Sequence, residues 1–287
     1  MKNLISTKDL SKKEVESIFK TTDKLKGKKT KDLFEKTLLL YFEKPSTRTV
    51  VSFAIAMIEL GGDYIYLTPR EIQISRGETI SDTAKVLSRY VNGIVARTYQ
   101  HQTILDLAKY STIPVINGLT NLEHPCQALS DLYTIKKKIG LKNKKIVFLG
   151  DGANNTFHSL IYLCEKFGFE IIVSSPELYA PRIQANFKII NNPNIAVKNA
   201  DVIYTDTFVS MGLEKEANQR ITDLKKYQLN SKLLNLAKED CIVMHPLPAH
   251  REQEITSDVM DGKNSVIFDQ AENRLHVQKA ILFLLLR

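Results

Sequence analysis

Thr37-Leu-Leu-Leu-Tyr-Phe-Glu-Lys-Pro-Ser-Thr-Arg-Thr-Val50 is the stretch on which the fold turns. Its first six residues are an unbroken apolar run, the pattern of a strand buried on both faces as in a parallel sheet. A polar turn follows, then a helical stretch over residues 50–60 that Ser46 can cap. Working outward, the same alternation repeats along the chain. Further strands are expected at 64–67, 93–96 and 113–116, then at 145–150, 170–174, 201–206, 241–245 and 265–268. Helices are expected between them, for example at 80–90, 127–138 and 159–167. Strand–helix alternation of this kind builds βαβ units. The predicted class is α/β, with two doubly wound parallel-sheet domains. A polar stretch at 136–144 containing Gly140 marks the seam. The expected domains are 1–138 and 139–271, with a C-terminal helix at 272–287 packing back on the first.

A chain of 287 residues can bury two cores of ordinary size. The formal net charge of +8 favours anionic partners. The lysine runs at 24–31 and 136–145 lack the aromatic interleaving of single-strand binders, so they read as solvated surface and no nucleic-acid partner is expected. Cys126, Cys164 and Cys241 are odd in number and form no CxxC pair. Neither a disulfide framework nor a metal site is expected from them, and a reducing cytoplasm fits. No apolar signal opens the chain, and the longest apolar run, 280–286, is far short of the roughly 20 residues that cross a bilayer. No membrane partner is expected.

In doubly wound folds ligands bind beyond the carboxyl ends of the strands. After the first strand, Ser46, Thr47, Arg48 and Thr49 open a helix. Free N–H groups, hydroxyls and a planar guanidinium there make a phosphate cradle. A capped helix with a surface arginine fits those residues equally well. Arg97 ends the third strand, and His124 and Gln127 begin the helix after the fourth, within reach of a ligand's carbonyl oxygen. In the second half, Leu149-Gly-Asp-Gly-Ala-Asn-Asn155 lacks the third glycine of a dinucleotide turn, which speaks against a nicotinamide enzyme. Asn154 and Asn155 can instead donate to a carboxylate. Asp206-Thr-Phe-Val-Ser-Met-Gly212 offers an acceptor for an ammonium and backbone donors for a carboxylate, the two ends of an α-amino acid; an Asx turn with a helix cap is the plainer alternative. His245-Pro-Leu-Pro248 holds a rigid backbone that can present carbonyl groups, or simply a tight surface turn.

Taken in order, these segments resemble the aspartate/ornithine carbamoyltransferase family. The carriers are Ser46-Thr-Arg-Thr49, Arg76-Gly-Glu78 with Ser81-Asp-Thr83, Arg97, His124-Pro-Cys-Gln127, Asp206 through Ser210-Met-Gly212, His245-Pro-Leu-Pro248 and Glu272-Asn-Arg-Leu-His276. The resemblance implies carbamoyl phosphate and ornithine as substrates, no cofactor and no metal, and a homotrimer with shared active sites. It makes Arg48, Arg97 and His124 catalytic. Ser46, Thr47, Arg48 and Thr49 become the phosphate loop, and Arg97, His124, Gln127 and Arg274 further carbamoyl phosphate contacts. Gln73 falls in the loop that reaches a neighbouring subunit's site. Asn155, Asp206, Ser210, Met211, Pro246 and Leu247 become ornithine contacts. Aspartate, putrescine or a modified ornithine are the other acceptors such a scaffold serves. Two departures stand out. Pro246 occupies the place of the ornithine branch's usual cysteine, and Val50 that of a frequent second arginine.

Overall fold

The computed structural model describes Met1–Ser210 and Gly212–Arg287. The chain divides into two compact units, Met1–Ser130 with Asn273–Arg287, and Asp131–Glu272. The elements of the first half are α1 (Lys12–Leu25), β1 (Thr37–Phe42), α2 (Thr47–Glu59), β2 (Asp63–Leu67), α3 (Ile80–Leu87), β3 (Gly93–Arg97), α4 (His101–Tyr110), β4 (Val115–Leu119) and α5 (Pro125–Ile139). Those of the second are β5 (Lys145–Leu149), α6 (Asn155–Lys166), β6 (Glu170–Ser174), β7 (Lys188–Ile189), α7 (Pro193–Ala196), β8 (Val202–Thr205), α8 (Ala217–Leu224), α9 (Ser231–Leu234), β9 (Ile242–Met244), α10 (Ser257–Met260) and α11 (Ile267–Leu286).

In the first unit four parallel strands lie in the order β2-β1-β3-β4. The apolar runs of β1 and β3 are buried throughout Leu38–Phe42 and Ile94–Ala96, as double-faced burial requires. Leu39, Tyr41, Ile94, Ala96, Ile104, Leu107 and Val115 form one core. The β3–β4 register slips between Ala96 and Arg97, whose partners are Asn117 and Leu119. The skipped residue is Gly118, where an added Cβ would lie 3.1 Å from Val95 Cγ1 and 3.2 Å from the Ala96 carbonyl oxygen. Such irregularities re-aim a side chain, and here that side chain is Arg97. The closing turns of α11 belong to this unit. Leu286 lies on β3 at Gly93, where a Cβ would meet its Cδ2 at 2.6 Å. The fully buried Lys279 donates to Glu59 at 2.7 Å and to the Lys28 carbonyl.

The second unit holds five parallel strands in the order β7-β6-β5-β8-β9. Val147, Leu149, Ile203 and Val243 share one core. The alternate residues Phe148 and Tyr204 stack with each other at 5.9 Å, and Phe148 with Phe157 at 4.2 Å. The expected strand at 265–268 is absent as such: Ser265 makes a single bridge to Val243, and α11 begins at Ile267. The short edge strand β7 falls where the sequence shows no apolar run. All three cysteines are free and buried, and burial pushes the Cys126 and Cys241 thiols up to about 12. Among the described residues, no helix is long and apolar enough to cross a membrane.

Candidate active site

In the first unit a group of candidate residues grows from the ends of β1, β3 and β4. Ser46 is the N-cap of α2: its backbone is extended and its Oγ accepts from the Thr49 N–H at 3.4 Å. Thr47 and Arg48 are exposed in the first turn and Thr49 is buried. A helix opening of this kind directs donors and a partial positive charge at a ligand. Arg97, buried at the slipped end of β3, donates from Nη1 to Ser46 Oγ at 3.2 Å. Its Nε is buried and has no hydrogen-bond partner. Arg274 of α11 donates to Gln127 Oε1 and to Thr49 Oγ1, both at 2.8 Å. His124 precedes Pro125, and its carbonyl accepts from the N–H groups of Gln127 and Ala128 at 3.1 and 3.2 Å. The structure thus gathers Ser46, Thr49, Arg97, His124, Gln127 and Arg274 into one connected cluster in the first unit.

Electrostatics give the cluster its character. Burial first, then the Arg274 and Arg48 guanidinium groups, pull Arg97 down to about 10. Burial, then Arg274 and Arg97, holds the His124 imidazole well below its ordinary 6.5, so it is neutral at neutral pH. Three guanidinium groups crowd each other, and a compact multiply charged anion is the ligand that would relieve them. Planar guanidinium groups suit its oxygens, and a neutral imidazole can donate to a carbonyl oxygen without adding charge. Gln73 lies apart from this network, in an exposed 3-10 turn, Gln73–Arg76.

In the second unit a separate polar group of residues lies beyond β5, β8 and β9. Asn154 caps α6: its Oδ1 accepts from Thr156 and Phe157 N–H at 2.9 and 3.0 Å. Its Nδ2 donates to Asp206 Oδ2 at 2.8 Å, and Thr207 N–H donates to Asp206 Oδ1 at 2.7 Å. Asn155 is the first residue of α6 and half-buried. Burial raises the Asp206 carboxyl, an effect that His245 opposes. Ser210 is half-buried and its carbonyl accepts from Leu213 N–H at 3.0 Å. Met211 lies outside the described residues. Pro246 and Leu247 are half-buried, and Leu247 has φ 57, a left-handed conformation costly for leucine. That turn is held by Leu247 N–H donating to His245 Nδ1 at 3.0 Å and by His245 Nε2 against Glu254 Oε1 at 3.1 Å.

Several of these braces carried no sequence signal. Arg220 pairs with Asp151, donates to the Phe208 carbonyl at 3.2 Å and lies over the Tyr179 ring. It pins the loops after β5 and β8 together. Gln270 donates to Asp131 at 2.7 Å and accepts from His245 N–H at 2.9 Å, fixing the loop after β9.

Two family models match almost the whole chain. Residues 2–137 match the carbamoyl-P binding domain of aspartate/ornithine carbamoyltransferase, and residues 142–285 match its Asp/Orn binding domain. The chain belongs to the aspartate/ornithine carbamoyltransferase family. Among relatives, the ornithine carbamoyltransferase of Archaeoglobus fulgidus is 48% identical over 301 residues, covering 100% of this chain and 98% of that protein. An ornithine carbamoyltransferase of Pyrococcus furiosus named as anabolic is 47% identical over 304 residues, covering 99% and 96%. The solved structure of ornithine carbamoyltransferase from Pyrococcus furiosus superposes with a TM-score of 0.95 at 47% identity, covering 99% of this chain and 97% of that one. Within the family, this chain's arginine-rich cluster falls in the carbamoyl-P binding match up to Gln127, and Arg274 falls in the other.

Proposed function

We propose that the chain transfers the carbamoyl group of carbamoyl phosphate to the δ-amine of ornithine, releasing citrulline and phosphate. The observation that carries this reading is the convergence of Arg97, Arg274 and Arg48 on the Ser46–Thr49 helix opening beside a neutral His124. In this reading the domains expected at 1–138, with 272–287 returning to it, and at 139–271 hold carbamoyl phosphate and ornithine respectively. Arg48, the hydroxyls of Ser46, Thr47 and Thr49, and the amides of α2 grip the phosphate. Arg97, His124 and Gln127 hold the carbonyl oxygen, and Arg274 fixes Gln127 and Thr49 in place. Asp206 receives the α-ammonium group with Asn155 beside it, and Ser210 and Met211 frame the carboxylate. Pro246 and Leu247 line the approach of the δ-amine. The names of the relatives and this division of polar groups support ornithine over aspartate.

Attack requires a neutral δ-amine, whose solution pKa resembles that of lysine at about 10.4. Desolvation favours the neutral form. As nitrogen bonds to the carbonyl carbon, charge develops on its oxygen, and Arg97 and His124 stabilise it. The C–O bond to phosphate then breaks, its electron pair stays on the phosphate oxygen, and that oxygen takes the proton the attacking amine gives up, so that hydrogen phosphate dianion leaves from the arginine cluster. No covalent enzyme intermediate is required, and the buried high-pKa thiol of Cys126 is unsuited to one. The reading extends to a cytoplasmic enzyme of arginine biosynthesis acting as a homotrimer, with Gln73 reaching a neighbouring subunit's phosphate.

Acceptor-dependent phosphate release from carbamoyl phosphate, with the carbamoylated product identified by mass, tests the reading, with ornithine, aspartate and putrescine compared at equal concentration. Ornithine is expected to lead in kcat/KM by at least a hundredfold. Parity, or a lead for aspartate, overturns the assignment of the acceptor.

A further inference from the structure

The segment that opens the chain is built into the first unit at a telling place. Leu4 bridges Ile116 of β4 in parallel. Its N–H donates to Val115 O at 3.0 Å, and its carbonyl accepts from Asn117 N–H at 2.7 Å. Asn3 Oδ1 accepts from Val115 N–H, and Asn117 Nδ2 donates to Ile5 O, both at 2.9 Å. The segment then crosses to the loop that carries His124. Glu123, 3% exposed, accepts there from Ser6 Oγ, from Thr7 N–H at 3.1 Å and from Thr7 Oγ1 at 3.2 Å. From its other side the loop is tied by Thr120: its N–H donates to Glu123 O at 2.9 Å, and its Oγ1 accepts from Glu123 N–H at 3.1 Å and meets His101 Nδ1 at 2.9 Å.

A buried carboxyl group is costly unless its oxygens are satisfied. Here the donors that satisfy it come from more than a hundred residues away in sequence and are spent on the residue next to His124. We propose that Glu123 is a positioning residue, and that Asn3–Thr7 is a strap it fastens so that the His124 imidazole is held on the carbamoyl oxygen. The strap closes the free edge of β4, and the carboxyl group locks the last turn before α5. A displacement of one ångström at a reacting group can cost about a hundredfold in rate. The inference rests on the transfer reading above.

Glu123→Gln sets an amide N–H₂ against the donors of Ser6 and Thr7. It is expected to lower kcat at least tenfold while the KM for ornithine stays within twofold. The double variant Ser6→Ala/Thr7→Val, which unfastens the strap from its own side, should reproduce that loss, and all three changes together should cost no more than Glu123→Gln alone. In a His124→Gln background the Glu123→Gln change should cost nothing further, because the strap acts through His124. A purely structural role would still reduce activity there. If wild-type protein forms no citrulline the transfer reading fails, and amide hydrogen exchange still decides the strap: the amides of residues 117–124 should exchange at least tenfold faster in Glu123→Gln, with α1 unchanged. Wild-type kcat in Glu123→Gln, additive losses, or unaltered exchange in that loop would overturn the proposal. Should Glu123→Gln fail to fold, Ser6→Ala/Thr7→Val carries the same comparison.

Discussion

Arg274 shows how one side chain can set the geometry of others. Its two bonds hold Gln127 and Thr49, and its charge helps keep His124 neutral. Arg274→Ala should therefore cost more than one contact. Losing one donor in a preorganised site removes roughly 2.7–4 kcal/mol of transition-state stabilisation. Steady-state kinetics should show kcat/KM for carbamoyl phosphate down by a hundredfold or more, while the KM for ornithine moves little. Asp206 works the other way. Its carboxyl is raised by burial, so the folded chain holds that proton more tightly than the unfolded chain does. Linkage then makes stability fall as pH rises through the window above the ordinary 3.8, and at neutral pH the ionised group burdens the fold. Asp206→Asn should raise the ornithine KM at least tenfold and leave that for carbamoyl phosphate within twofold. Its thermal midpoint should equal or exceed the wild type's in a calorimetric scan, a trade of stability for function. A lower midpoint would mean that the bonds Asp206 accepts from Asn154 and Thr207 outweigh the cost of burying its charge.

At the scale of elements, α2 depends on its cap. Ser46→Ala removes the acceptor for Thr49 N–H and the partner of Arg97. Cap loss typically costs about 1 kcal/mol, which urea unfolding should register along with a higher KM for carbamoyl phosphate. That cap was legible in the sequence because Ser46 stands between a polar turn and an apolar helical stretch. The parallel strands were legible for a related reason: double-faced burial leaves unbroken apolar runs such as Leu38–Phe42. The same signal misled at residues 265–268, where the apolar trio Val266, Ile267 and Phe268 starts a helix. A run so short does not distinguish a buried strand from a buried first helical turn. β7 was invisible because Lys188–Ile189 is exposed and only two residues long. In the site, residue types and order exposed the arginines, His124 and Asp206. They did not reveal that Asn154 bonds Asp206 while capping α6, since cap geometry alone assigns that role between adjacent asparagines. Glu123, Arg220 and Glu254 also escaped, because their partners are distant in sequence and match no local pattern.

For the whole molecule, the first unit exposes apolar side chains on one helix and one edge strand. Val51, Ile55 and Ile58 recur at helical spacing on α2 and are 53%, 39% and 54% exposed. The edge strand β2 adds Tyr64, Ile65 and Tyr66, also exposed. Contiguous patches of this kind mark association surfaces, and the homotrimer is the assembly proposed to cover this one. Sedimentation of the wild-type protein should give three times the chain's 32.6 kDa. Val51→Asp/Ile58→Asp should give single chains with reduced transferase activity, while a trimer surviving both changes would place the interface elsewhere. The first unit is also completed out of order, since Asn273–Arg287 returns to it after the whole second unit has intervened. During synthesis its first 130 residues emerge from the ribosome long before Leu286 can cover Gly93 or Lys279 can reach Glu59. Until then the nascent chain carries an uncovered apolar slot along β3 and lacks Arg274, the kind of transiently exposed apolar surface on which partly folded chains misassociate.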